Sequence, residues 1–243
     1  MSLFSIIKAY NKARKPPACT AVIAAAGSSQ RCKGEDKLFY LINDKPVLAY
    51  TVDVFQQCDN INEIIIVAQE SRFEDITAIC SKYKLNKVSG IIKGGETRPQ
   101  SVLNGIYAAS KKTTHVAIHD GARPFITDEI LKHTIKKASK YHAAAPGVPV
   151  ASTLKKAESG IIKETVSRNG LYEIQTPQIF RIEILKAALI KAMKNSREIT
   201  DDCMAVEALG VSIYITEGSR TNIKITDKDD LYIAEALLMK ENC

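Results

Sequence analysis

The chain has 243 residues, 34 Lys or Arg against 27 Asp or Glu for a formal charge of +7, and 45% of its positions are apolar. No apolar run approaches the roughly 18 residues a spanning helix needs, and the charge is too modest for an unfolded chain, so both classes are excluded. A folded chain remains, long enough to bury an ample core in one large domain or in one domain with a small appendage.

In chain order, the first seventeen residues place Leu3, Ile6, Ile7 and Tyr10 at helical spacing, with Lys8, Lys12, Arg14 and Lys15 between and after them, and Pro16-Pro17 ending the run. This predicts a basic amphipathic extension over 1–17 ahead of a domain over 18–243. A secretory signal would carry its charge before a longer apolar core, the opposite order. The extension packs on the domain or frays in solvent in one reading, and attaches to a membrane surface or a partner in the other. Nucleic acid is not expected as a partner, because the remaining basic residues are interleaved with acids and aromatics are few.

Past Pro17, apolar runs of strand length occur at Cys19–Ala26, Ile64–Ala68, Val88–Ile92, His115–His119, Ala143–Val150 and Val211–Thr216. Helical periods lie at Val47–Gln57, Phe73–Tyr83, Gln100–Ala109, Asp128–Tyr141 and, at the end, Asp227–Met239. Strands alternating with helices predict a three-layer α/β sandwich on a mostly parallel sheet, with ligands outside the carboxyl ends of the strands. Only 151–177 breaks the rhythm. Ser159-Gly160 and Asn169-Gly170 are turn signals there, and the stretch reads as a β-ribbon arm leaving the sandwich. Such an arm cannot bury both faces alone, so a second copy of the chain is its expected partner.

Three loops carry the chemistry. The first strand empties into A24-A-A-G-S-S-Q-R31-C-K-G-E-D-K37. A small-residue turn lets backbone N–H groups approach an anion, and Arg31 and Lys37 add charge; alone it could equally be a turn with two solvated bases. Neither the P-loop nor the dinucleotide fingerprint can be built from it. After Val88–Ile92 comes G94-G-E-T-R-P-Q-S101, where two glycines let the backbone run against a flat ligand and Ser101 offers a hydroxyl at a helix start. After His115–His119 comes H119-D-G-A-R-P124, where Asp120 would aim a carboxylate at the site, suited to Mg²⁺ beside phosphates. His115 and His119 stand four apart, the spacing of zinc ligands on one helix face, but T-H-V-A-I-H-D reads as the end of a strand, where that spacing does not bring them together. The six cysteines show neither C-x-x-C nor zinc-ligand spacing, and disulfides are not expected.

Taken in order, A-A-A-G-x-x-x-R with a lysine six residues on, G-G-x-x-R-x-x-S, H-D-G-A-R-P, R-N-G-L, Q-T-P-Q, I-T-D-D and N-I-K-I-T resemble the 2-C-methyl-D-erythritol 4-phosphate cytidylyltransferases from about Cys19 to Met239. The resemblance implies a Rossmann-like nucleotidyltransferase fold with a projecting dimerisation arm, and a cytoplasmic enzyme. It implies transfer of CMP from CTP to methylerythritol 4-phosphate, releasing pyrophosphate, with Mg²⁺. Arg31 and Lys37 match the basic pair at the CTP phosphates, and Arg168 with Lys224 the pair that positions the substrate phosphate. Ala25, Ala26, Gly27, Gly95, Glu96 and Ser101 match the cytidine-binding positions. Asp120, Arg123, Thr153 and Thr176 match positions around the sugar phosphate and the metal, Thr153 and Arg168 standing on the arm and serving the neighbour's site.

The chain departs from the family pattern at Ser29, Cys32, Asp36 and Glu96, none of which removes a charge the chemistry needs. Two other readings compete. A pentitol 5-phosphate cytidylyltransferase would share the CTP machinery and differ on the sugar side. A non-catalytic nucleotide-binding protein would have lost Arg31, Lys37 or Lys224, and all three are present.

Overall fold

The computed structural model describes residues 17–27, 36–195 and 198–241, with side chains through Met239. The predicted extension, apart from Pro17, lies outside these residues, as does 28–35 with Arg31, Ser29 and Cys32. The sheet is built on β1 (Cys19–Ala25), a run buried almost throughout. On one side β1 pairs in parallel with β4 (Ile61–Ala68), and β4 with β5 (Val88–Lys93). On the other it pairs in parallel with β6 (His115–Asp120). Three further strands, β7 (Ala143–Pro149), β10 (Tyr172–Ile174) and β11 (Gln178–Arg181), extend the sheet in the order β10-β7-β11-β6-β1-β4-β5, and β12 (Tyr214–Glu217) pairs with β7. Pairings through β10 and β11 are antiparallel, so the sheet is parallel around β1 and mixed beyond β6.

Helices cover both faces. On one, Ile23, Ile64, Ile66 and Ala117 pack with Leu48, Val52 and Phe55 of α1 (Val47–Gln57), Ile76 of α2 (Phe73–Lys82), and Leu131 and Ile135 of α4 (Asp128–Tyr141). On the other, Val22, Val67 and Ile118 meet Val102 and Ile106 of α3 (Arg98–Ala108), Leu185 and Leu189 of α5 (Ile182–Lys194) and Val206 of α6 (Asp202–Glu207). The final helix, α7 (Lys228–Glu241), adds Leu231, Ala234 and Leu238 to the first cluster. Burial of each such Leu, Ile or Phe contributes about 1.5–3 kcal/mol, which commits the central strands to this sandwich. Caps set the helix starts. Thr97 accepts from Gln100 N ahead of α3 with Pro99 in the first turn, Thr127 accepts from Ile130 N ahead of α4, and Asp201 accepts from Met204 N ahead of α6.

The sequence reading and the structure part in several places. The last strand begins at Tyr214 rather than Val211, because Val211 and Ile213 pack against the second core face before pairing with β7 begins. The predicted ribbon is shorter than 151–177: β8 (Leu154–Glu158) and β9 (Ile161–Val166) form a separate two-stranded sheet, whereas Tyr172–Ile174 belongs to the main sheet. Ser159 and Gly160, with φ of 49° and 80°, make the two-residue turn of that hairpin. A small hairpin, β2 (Leu41–Ile42) and β3 (Lys45–Pro46), turns at Asn43 and Asp44, both at positive φ, where apolar periodicity gives no signal.

Candidate active site

A cavity of about 440 Å³ opens at the carboxyl ends of β1 and β6. Ala24, Ala25, Ala26 and Gly27 form one wall, Gly95, Glu96, Thr97, Arg98 and Ser101 a second, and Lys37, Lys224 and Asp120 stand between. The second wall requires its glycines. A Cβ on Gly94 would lie 2.5 Å from that of Ala26, and one on Gly95 would lie 2.1 Å from Gln100 Cγ. The Ser101 hydroxyl is engaged in the same turn, accepting from Gly95 N at 3.0 Å and donating to Thr97 O at 3.0 Å. Ser101 therefore shapes the loop that the sequence reading assigned to a base.

Asp120 is the electrostatic centre. Its Oδ2 lies 3.0 Å from Lys224 Nζ and 3.3 Å from Arg123 Nε, and its Oδ1 lies 4.0 Å from an Arg98 nitrogen. Burial works to raise its carboxyl, but Lys224, Arg98 and Arg123 outweigh it and hold the group down at about 2. Behind it runs a relay of hydrogen bonds. Asp120 N donates to Thr176 Oγ1, that hydroxyl meets His119 Nδ1 at 3.0 Å, and His119 Nε2 meets Arg123 O at 3.1 Å. The Arg123 carbonyl can only accept, so His119 carries its proton on Nε2 and receives the Thr176 hydroxyl on Nδ1. Complete burial pushes His119 down to about 4, and the ring is neutral at pH 7.

Arg123 also donates to Asn222 O at 2.8 Å, and the Asn222 amide donates to Gln175 Oε1 and Thr176 O. Asn222 thus ties the Lys224 loop to the segment that supports Asp120. Arg98 is held by Asp202 at 2.7 Å. Burial raises the Asp202 carboxyl, opposed chiefly by Arg98. Both residues stand inside motifs read from the sequence, G-G-x-x-R and I-T-D-D, yet no local signal in either motif says that their side chains meet.

Of the residues expected at the site, Ala25, Ala26, Gly27, Lys37, Gly95, Glu96, Ser101, Asp120 and Lys224 line this one cavity. Arg123 borders it and faces an adjoining recess with Arg220 and Lys224. Thr176 is buried behind Asp120, not exposed to the cavity. Thr153 and Arg168 do not line it: both are exposed at the root of the β8–β9 hairpin, where Arg168 donates to Ala151 O. Arg31 lies outside the described residues. His115 opens β6 and His119 lies near its other end, each with its own hydrogen-bond partners, and no cluster of three or more His, Cys, Asp or Glu able to hold a metal occurs among the described residues. Cys19, Cys58, Cys80 and Cys203 are free, and burial raises each thiol, so none is a nucleophile at neutral pH.

A sheet whose central strand ends open on a small-residue wall, a glycine-built wall and a cavity shared by two lysines and one carboxylate offers a ligand site of the kind found at the strand ends of α/β sheets. The family model for 2-C-methyl-D-erythritol 4-phosphate cytidylyltransferase matches residues 19–240, and the chain belongs to that family. It is 47% identical to the enzyme of that name from Clostridium acetobutylicum over 91% of this chain and 98% of the relative. Identity to the Caldanaerobacter subterraneus subsp. tengcongensis enzyme of the same name is 44%, over 91% and 99%. Among solved structures, 4-diphosphocytidyl-2C-methyl-D-erythritol synthase from Anaerococcus prevotii superposes with a TM-score of 0.82 at 28% identity, over 92% of this chain and 97% of that one. The Thermus thermophilus cytidylyltransferase superposes at 0.74 with 29% identity, over 90% and 98%.

Proposed function

We propose that the Asp120 cavity is where this cytidylyltransferase joins its two anionic substrates. The reaction is the CTP-dependent synthesis of 4-diphosphocytidyl-2C-methyl-D-erythritol, and family membership decides for methylerythritol 4-phosphate over a pentitol phosphate. The attacking group, a phosphate monoester oxygen, is already an anion, so no side-chain base is required and the neutral, buried His119 is free to be structural. The obstacle is bringing one anion onto the α-phosphorus of another. Fixed positive charge and positioning meet it.

The carrying observation is the convergence of Lys37 and Lys224 with Asp120 at the mouth of a wall of small residues. Lys37, joined by Arg31, takes the CTP phosphates. Lys224 and Arg123 face the incoming sugar phosphate, and Gly95, Glu96 and Ser101 form the loop on which cytidine rests. Thr153 and Arg168 stand on an arm whose two strands are exposed almost throughout, with Ile161 and Ile162 each 63% exposed. A second copy of the chain packs against that arm, forming a homodimer in which each arm brings Thr153 and Arg168 to the neighbour's site. CTP and a sugar phosphate are charged and stay in the compartment that makes them, which supports the reading of a cytoplasmic reaction.

Mg²⁺ fits this donor set as an ion that arrives with the nucleotide. One carboxylate plus substrate phosphates is its usual company, and Asp120 would hold it through Oδ1, since Oδ2 faces Lys224 and Arg123. Bound there, the ion would neutralise charge on the phosphates. The test is pyrophosphate release from CTP and Mg²⁺, with methylerythritol 4-phosphate and ribitol 5-phosphate offered in parallel. Turnover on the first alone is expected; silence on it overturns the proposal.

A further inference from the structure

Arg98 is the only cation in the loop 94–101, and it reaches the cavity held from behind. One guanidinium nitrogen lies 2.7 Å from Asp202 Oδ2, and a second stops 4.0 Å short of Asp120 Oδ1, too far for a hydrogen bond. Asp202 is wholly buried, and its Oδ1 has no hydrogen-bond partner among the described residues. Nor can it swing away: the neighbouring cap Asp201 accepts from Gln178 Nε2 at 2.7 Å and from Met204 N, while Cys203 N donates back to Gln178 Oε1. A buried ion pair with one carboxylate oxygen unsatisfied is a poor stabiliser, because desolvation offsets most of the attraction. What it does well is fix a plane. The guanidinium is a rigid fork, and with one branch on Asp202 the other must face the cavity beside Asp120.

We infer that Arg98 is a further catalytic residue of this enzyme: Asp202 holds its guanidinium so that the free branch donates to a phosphate oxygen of CTP. The inference rests on the nucleotide placement proposed above, since a cytidine lying on the 94–101 loop brings its phosphates to the space between Arg98 and Asp120. A donor aimed before the substrate arrives needs no reorganisation in the transition state, where charge on the α-phosphate grows.

Turnover, KM for CTP and melting temperature of Arg98→Ala, Asp202→Asn and the double variant test this. Arg98→Ala is expected to lose about a hundredfold in kcat with a smaller change in KM, and ethylguanidinium added to it to restore at least about tenfold. Asp202→Asn keeps the guanidinium but releases it, so kcat falls about tenfold, and the double variant is no slower than Arg98→Ala alone. Should the alanine variant not fold, Arg98→Lys carries the test, because a single ammonium cannot serve Asp202 and a phosphate together and a loss of about tenfold is expected. A folded Arg98 variant with kcat within about twofold of the parent, melting lower or not, overturns the inference. Lys37→Ala in the same assay separates the two claims. Full activity there overturns the nucleotide placement itself, whereas loss there beside an active Arg98→Ala overturns only the role of Arg98.

Discussion

The end of β6 and the β8–β9 hairpin both carry residues assigned to the substrates, and they are built in opposite ways. Asp120 is 8% exposed, its backbone N–H is bonded to Thr176, and its carboxylate is surrounded by three cations supplied by β6's own loop, α3 and the 222–226 segment. The hairpin is held by its ladder, a Lys156–Glu164 pair at 2.8 Å and a bond from Lys155 to Thr165, with neither face covered. A group that must be placed within a fraction of an ångström sits on a scaffold fixed from every side. A group on a two-stranded ribbon acquires a fixed place only when something packs against the ribbon.

That contrast can be broken or sharpened by measurement. On the cavity side, Lys37→Ala is expected to cost about 3 kcal/mol of transition-state stabilisation, a hundredfold or more in kcat, at an unchanged melting temperature. An active Lys37→Ala enzyme would remove the lysine from the chemistry. On the arm side, Ile161→Asp with Ile162→Asp is expected to yield a monomer in sedimentation and at least about a tenfold loss of turnover, with the sandwich melting as before. An unchanged sedimentation coefficient would sever the arm from assembly.

Smaller effects probe how each region is held. Thr176→Val deletes the hydroxyl between Asp120 N and His119 Nδ1 and should lower stability by about 1–3 kcal/mol in urea unfolding, because a buried donor loses its partner. The same relay predicts a pH dependence. His119 is depressed in the folded state to about 4 from an ordinary 6.5, so its contribution to stability is complete above pH 6.5 and is lost as the pH falls from there towards 4. Imidazole proton shifts in NMR that titrate near 6.5 in the folded protein would contradict it. Smallest of all, Lys156→Ala on the exposed hairpin should change stability by less than about 1 kcal/mol, since both partners of that pair stand in solvent.

Much of this molecule is legible in the sequence because its signals are local. The limits of α1 and α4 follow from apolar period, and the Thr127 cap of α4 is found where that period begins. The strands around β1 follow from short apolar runs between turn residues, and the loops after β1, β5 and β6 announce themselves as the ligand end of a parallel sheet. The helix α5 and the short α6 receive no limits from the sequence, and the pairing of β10 and β11 with β7 and β6 does not show in it, since register across such distances is chosen by packing. Gly94 and Gly95 are visible as a turn signal, but that a Cβ there would strike Ala26 or Gln100 is a fact of tertiary contact.

Residue types and spacing by themselves determined the α/β class and the expectation of a site at the strand ends, because periodicity is a property of the chain read along its length, and the family, with its reaction, was legible as a resemblance carried by motifs in order. Which cations surround Asp120, that Thr176 lies behind it and not before it, and that Asp202 aims Arg98 were decided only by the fold. Arg98 and Asp202 stand 104 residues apart, and Lys224 meets Asp120 across a similar span of chain. An ion pair of that reach forms when packed helices and strands bring its two ends to one wall, and no stretch of sequence carries the information alone.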